Sequence, residues 1–69
     1  MKFENGQKVI CINSISINHG KFNNGQVYIL TEPREIQKNP SLFSYYITDD
    51  MGEKIFFEED AVTVYFRQC

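Results

Sequence analysis

The sequence predicts an all-β domain of five short strands, and three observations carry that reading. Apolar residues recur at every second position through most of the chain, which is the period of a half-buried strand. The alternating runs are bounded by Gly, Asn, Asp or Pro, residues that turn the backbone between strands. No segment shows a convincing helical repeat. Size narrows the class further. A chain of 69 residues is one domain (1–69), since domains of about 100–150 residues rarely subdivide. Surface scaling allows roughly 4,500 Å² exposed when folded against roughly 11,700 Å² unfolded, so one thin core fits and a deep catalytic pocket does not. Six Phe and four Tyr exclude a disordered chain, which lacks such residues.

The first strand is expected over residues 8–12 (KVICI), opened by a turn at Asn5-Gly6. The second follows Asn24-Gly25 over 26–31 (QVYILT). The third spans 42–49 (LFSYYITD), the fourth 54–57 (KIFF) and the fifth 62–66 (VTVYF). Between them lie a long polar loop at 13–24, in which Ile15 and Ile17 alternate with Ser, and a loop at 32–41 broken by Pro33 and Pro40. Glu58-Glu59-Asp60 has room only for one helical turn, whose unpaired amides carboxylates favour.

Parity then assigns faces. Val9 and Cys11, and likewise Tyr28 and Leu30, hold the third and fifth places after a glycine and are expected to point inward. If Asp50-Met51-Gly52 is a three-residue hairpin loop with a left-handed glycine, Ile47 faces Ile55, Tyr45 faces Phe57, Thr48 faces Lys54 and Tyr46 faces Phe56. A loop one residue shorter sets Thr48 against Ile55, and one residue longer sets Ile47 against Lys54. Both mix polar with apolar partners, a costly slip. Tyr45, Ile47, Ile55, Phe57, Val62, Val64 and Phe66 then line the core.

The segments Gly6-Gln7-Lys8-Val9-Ile10-Cys11-Ile12, Gly25-Gln26-Val27-Tyr28-Ile29-Leu30, Asp49-Asp50-Met51-Gly52-Glu53 and Phe57-Glu58-Glu59-Asp60-Ala61-Val62 occur in that order. As an ordered set they resemble the small SH3-like β-barrel proteins of bacteriophages and low-GC bacteria. The resemblance covers about residues 3–66. It implies a five-stranded SH3-like barrel with one short helical turn before the last strand. It also implies a phage-type accessory role, binding a host protein and inhibiting or redirecting it. The chain departs from peptide-binding SH3 domains in lacking tryptophan, and its long first loop has no acidic tip, so recognition of Pro-rich peptides is unsupported.

Charge is polarised along the chain. Residues 1–40 carry five basic side chains against three acids, whereas 49–60 carry six acids against Lys54 alone. The net charge of −2 lacks the basic excess of nucleic-acid binders. The acidic segment has the length of an EF-hand loop but Met51 and Lys54 stand where a ligand and the glycine belong. One histidine, His19, and two cysteines, Cys11 and Cys69, make no zinc set and no activated nucleophile. No enzyme activity, metal or cofactor is therefore expected. Cys11 is expected buried and Cys69 exposed, both reduced. The opening Met1-Lys2-Phe3-Glu4-Asn5-Gly6 does not read as a secretion signal, and no apolar run reaches the ~20 residues of a membrane span. A cytoplasmic protein without membrane contact is expected.

A partner protein is the expected ligand. Tyr46, Phe56 and Tyr65 fall outward by parity and would form a patch rimmed by Asp49, Asp50, Glu53, Glu58, Glu59 and Asp60; alternatively the long loops fold over these aromatics. The same face would serve self-association. A second functional reading is a nucleic-acid or transcription/translation-complex module using Lys2, Lys8, Lys21, Arg34 and Lys38.

Overall fold

The computed structural model describes residues 3–14 and 20–69. The expected ladder of Ile15 and Ile17, His19 and Lys2 lie outside them. Five strands form one antiparallel sheet: β1 (Gln7–Cys11), β2 (Val27–Lys38), β3 (Ser41–Thr48), β4 (Lys54–Glu58) and β5 (Phe66–Gln68), with a helix α1 (Glu59–Tyr65) between the last two. Their hydrogen-bonded order is β4-β3-β2-β1-β5. Among the described residues the ladder is open, with β4 and β5 at its edges.

The β3–β4 hairpin has the register that parity demands. Tyr45 pairs with Phe57, Tyr46 with Phe56, Ile47 with Ile55 and Thr48 with Lys54. Asp49 donates its N–H to the Glu53 carbonyl at 2.9 Å, and Gly52 donates back to the Asp49 carbonyl at 3.1 Å. That loop requires a positive φ before the chain re-enters the sheet, and Gly52 supplies it at 82°.

Two elements differ from expectation. The segment 32–38 is not a loop, because β2 continues through it to Lys38. Pro33 is accommodated by slippage in the ladder: register shifts occur between Thr31 and Arg34 and between Glu35 and Gln37. Glu32, at φ 55°, takes the local kink, so the missing N–H of Pro33 falls at an irregularity where strands tolerate proline. The fifth strand does not begin at Val62. A helix occupies Glu59–Tyr65, with Glu59 and Asp60 in its first turn, and β5 starts only at Phe66. Val62 and Phe66 are both buried while Val64 is 54% exposed. The four-residue spacing of the two buried positions is one helical turn as well as an even strand step.

Val9, Cys11, Tyr28 and Leu30 are all buried as expected, with Tyr45, Ile47, Phe57, Val62 and Phe66. Ile55 is half-buried against this cluster, and Val64 is excluded from it. Phe3 and Phe22 join the core from outside the strands. The Phe22 ring meets Tyr28 at 4.9 Å, Phe66 at 5.4 Å and Phe57 at 5.7 Å, each edge to face. Such pairs contribute about 0.5–1.5 kcal/mol each beyond area burial, so Phe22 ties the first long loop to three strands. Cys11 is buried and Cys69 exposed, and neither is in a disulfide. Burial pushes the Cys11 thiol up from its ordinary range, which keeps it protonated and unreactive.

Candidate protein-docking face

Alternation along β3 and β4 sends Tyr45, Ile47 and Phe57 into the core and turns Tyr46 and Phe56 to the other face. Those two rings meet across the strands at 5.9 Å and 73°. Thr31 stands opposite Tyr46 on β2 and its hydroxyl donates to the Tyr46 carbonyl at 3.3 Å. Beyond Thr31 the irregular stretch of β2 brings Pro33, Arg34 and Ile36 beside the same pair. The result is an open groove of about 370 Å³ lined by these three residues with Glu32, Ser44, Tyr46 and Phe56. Its apolar floor is accessible, Phe56 at 46% and Ile36 at 43%. Lys54 and Glu32 pair at 2.6 Å beside it. On the same sheet face Val27 and Ile29 are also exposed.

The third expected aromatic does not join this patch. Tyr65 ends α1 and packs half-buried on Phe57 at 6.2 Å, on the core side of the sheet. The parity that placed it outward belonged to a strand, and a helix rotates it elsewhere.

The acidic segment divides in the same way. Asp49 is buried. Its carboxylate accepts N–H bonds from Lys21 at 2.9 Å, Met51 at 3.0 Å and Glu53 at 2.8 Å. Burial alone would raise its carboxyl, but these backbone donors together outweigh that and hold it below the usual carboxylate range. Asp50 accepts from the Asn23 amide at 2.6 Å and the Tyr28 hydroxyl at 3.0 Å. The two aspartates therefore fasten loop 20–23 onto the hairpin tip. Glu59 is buried beneath Tyr45. The Tyr45 hydroxyl accepts the Phe3 N–H at 2.9 Å and donates to Glu59. Burial first, and then the Glu59 charge against the opposing Phe3 bond, raise the Tyr45 hydroxyl from its ordinary value. Glu53, Glu58 and Asp60 remain exposed.

The basic residues are dispersed. Lys8 lies on β1, Lys21 in the loop held by Asp49, Arg34 on the irregular stretch of β2 and Lys38 at the tip of the β2–β3 hairpin. All four are exposed, and only Arg34 lines the groove. Among the described residues no three His, Cys, Asp or Glu side chains gather as a metal site requires, and no helix is long and apolar enough to cross a membrane.

Parity turns Tyr46 and Phe56 outward, but sequence reasoning does not place Pro33 and Ile36 beside them in the groove, because two prolines make 32–41 read as loop. The usable signal is Asn39-Pro40, a turn pair that closes the β2–β3 hairpin between Lys38 and Ser41. Comparison of the chain with protein-family models, with curated proteins and with solved structures finds no match.

Proposed function

We propose that this chain is a non-enzymatic protein-binding module whose docking face is the Tyr46–Phe56 groove. One observation carries the reading: two paired aromatics stand on the face away from the core, lining an open groove of mixed polar and apolar residues, while the core closes without them. Exposed aromatics in a concave, partly apolar setting are the residues on which binding energy concentrates. The element order and the helix before the last strand are those that the SH3-like resemblance implies, and the phage-type role of binding and inhibiting or redirecting a host protein is proposed on that resemblance alone. Glu32, Arg34 and Ser44 supply polar groups to the same groove.

The test is capture from bacterial lysate with the wild type beside Phe56→Ala and Tyr46→Ala, each checked for folding by circular dichroism. A stoichiometric protein held by the wild type and lost with either folded variant is expected, since truncating an anchor costs about 2 kcal/mol or more of binding. Equal capture by all three, or no stoichiometric protein with the wild type, overturns the proposal.

A further inference from the structure

The β3–β4 ladder determines what the outer edge of β4 offers. Antiparallel pairs alternate between those that exchange both backbone bonds and those that exchange none. The Asp49 N–H to Glu53 carbonyl bond fixes the phase at the loop. Ile55 and Phe57 then bond inward to β3, and the backbone groups of Lys54, Phe56 and Glu58 point to the open side. β4 ends the sheet among the described residues. An unpaired edge carrying an exposed aromatic is a template for another strand.

The sequence of this edge says which strand. Read from either end, Lys54-Ile55-Phe56-Phe57-Glu58 places opposite charges at equal distances from Phe56. We propose that the occupant is a second copy of this chain, its β4 antiparallel to the first about a two-fold axis at Phe56. In that register each Phe56 exchanges both backbone bonds with Phe56 of the second copy. Each Glu58 N–H donates to the opposite Lys54 carbonyl. The side chains of Lys54 and Glu58 lie on one sheet face by parity, so each ammonium meets the other copy's carboxylate, twice by symmetry. Lys54 and Glu58 are both exposed; to reach the second copy Lys54 exchanges its contact with Glu32, a surface pair in which the lysine side chain is 61% exposed. Sliding the strands by two residues sets Lys54 or Glu58 against Phe56 and breaks both ion pairs, so charge selects one register. This dimer stands apart from the docking reading above: it rests on backbone direction and charge order, not on the groove. It would set the two grooves side by side, since Phe56 belongs to both features.

Charge reversal tests it without touching Phe56. Lys54→Glu opposes two carboxylates at each end of the pairing, and Glu58→Lys opposes two ammonium groups. Each single variant should weaken self-association about tenfold or more, as like charges facing across strands destabilise and two symmetric pairs are affected. The double variant Lys54→Glu/Glu58→Lys restores opposite charges and should recover the dimer. An equimolar mixture of the two single variants should form a heterodimer, because each acid then meets a lysine. Sedimentation equilibrium from 10 to 500 µM (concentrations of about these magnitudes bracket weak pairing) reads the mass, with circular dichroism confirming the fold. A wild type that stays at 8.1 kDa throughout, or single variants that dimerise as well as the wild type, overturns the proposal. Neither result bears on capture of a foreign protein by the groove.

Discussion

Val62 and Val64 distinguish helix from strand at the end of the chain more sharply than any other pair. In a strand both would point inward and both truncations would be costly. In α1 Val62 is fully buried and Val64 is 54% exposed. Val62→Ala removes two buried methyl groups, about 1.6 kcal/mol of transfer free energy, and a partly collapsed cavity raises this to about 2–3 kcal/mol. Alanine's better helix propensity returns about 0.5 kcal/mol, leaving a net loss of about 2 kcal/mol. Val64→Ala loses roughly half the transfer term and recovers most of that through propensity, so its net change is within about 0.5 kcal/mol. Domains of this size have about 3–5 kcal/mol of stability in all. With a urea slope of about 1 kcal/mol/M, Val62→Ala should lower the unfolding midpoint by about 2 M and Val64→Ala by less than about 0.5 M. Urea titration followed by tyrosine fluorescence and far-ultraviolet circular dichroism measures both. Equal shifts for the two variants would refute the helix and restore the strand.

Two further outcomes follow from the long loop and its tether. The Asp49 carboxyl is held below its ordinary value of 3.8, so its contribution is complete above that pH and is lost as pH falls through the lower folded-state value. Asp49→Asn should therefore be less stable than the wild type at neutral pH, with the two urea midpoints converging below pH 3.8; curves that stay parallel down to pH 2.5 (about the acid limit of such titrations) would sink the tether. Gly20 and Gly25 have φ of 87° and 85°, but a Cβ on Gly20 would stand 2.5 Å from the Phe22 ring whereas one on Gly25 meets nothing. Gly25→Ala should cost about 1–2 kcal/mol from backbone strain alone, and Gly20→Ala about 1–3 kcal/mol more through displacement of a packed ring. Thermal unfolding ranks them, and equal melting temperatures would contradict the packing of Phe22.

What was legible in the sequence was whatever short-range geometry decides. The hairpin loop has one composition and one glycine, and only one register keeps Ile47 and Tyr45 against apolar partners; the ladder has that register. The inward set of Val9, Cys11, Tyr28 and Leu30 followed from parity after two glycines, and those side chains are buried. The rest depended on partners remote in sequence. Asp49 and Asp50 read as part of an acidic rim to the aromatic patch, and are structural because Lys21 and Asn23 fold back across them. Pro33 looked like the end of a strand, and is carried because the ladder slips around it.

The misplacement of Tyr65 has the same root as the correct facing of Phe56. Residues four apart share a face in a strand and also in a helix, so Val62 and Phe66 fit either state and could not choose between them. Only the intervening positions report the difference, and there Val64 and Tyr65 carry residue types that both states accept. Phe56 escaped this ambiguity because its strand is tied to β3 by a turn whose length fixes parity. The orientation that exposes its ring also turns its backbone toward the open edge, since the Tyr46–Phe56 pair exchanges no bonds across β3 and β4. The exposed aromatic of the proposed docking face and a backbone at the sheet edge among the described residues therefore coincide at one residue for a geometric reason, and substitutions that separate side chain from charge order are needed to tell what each does.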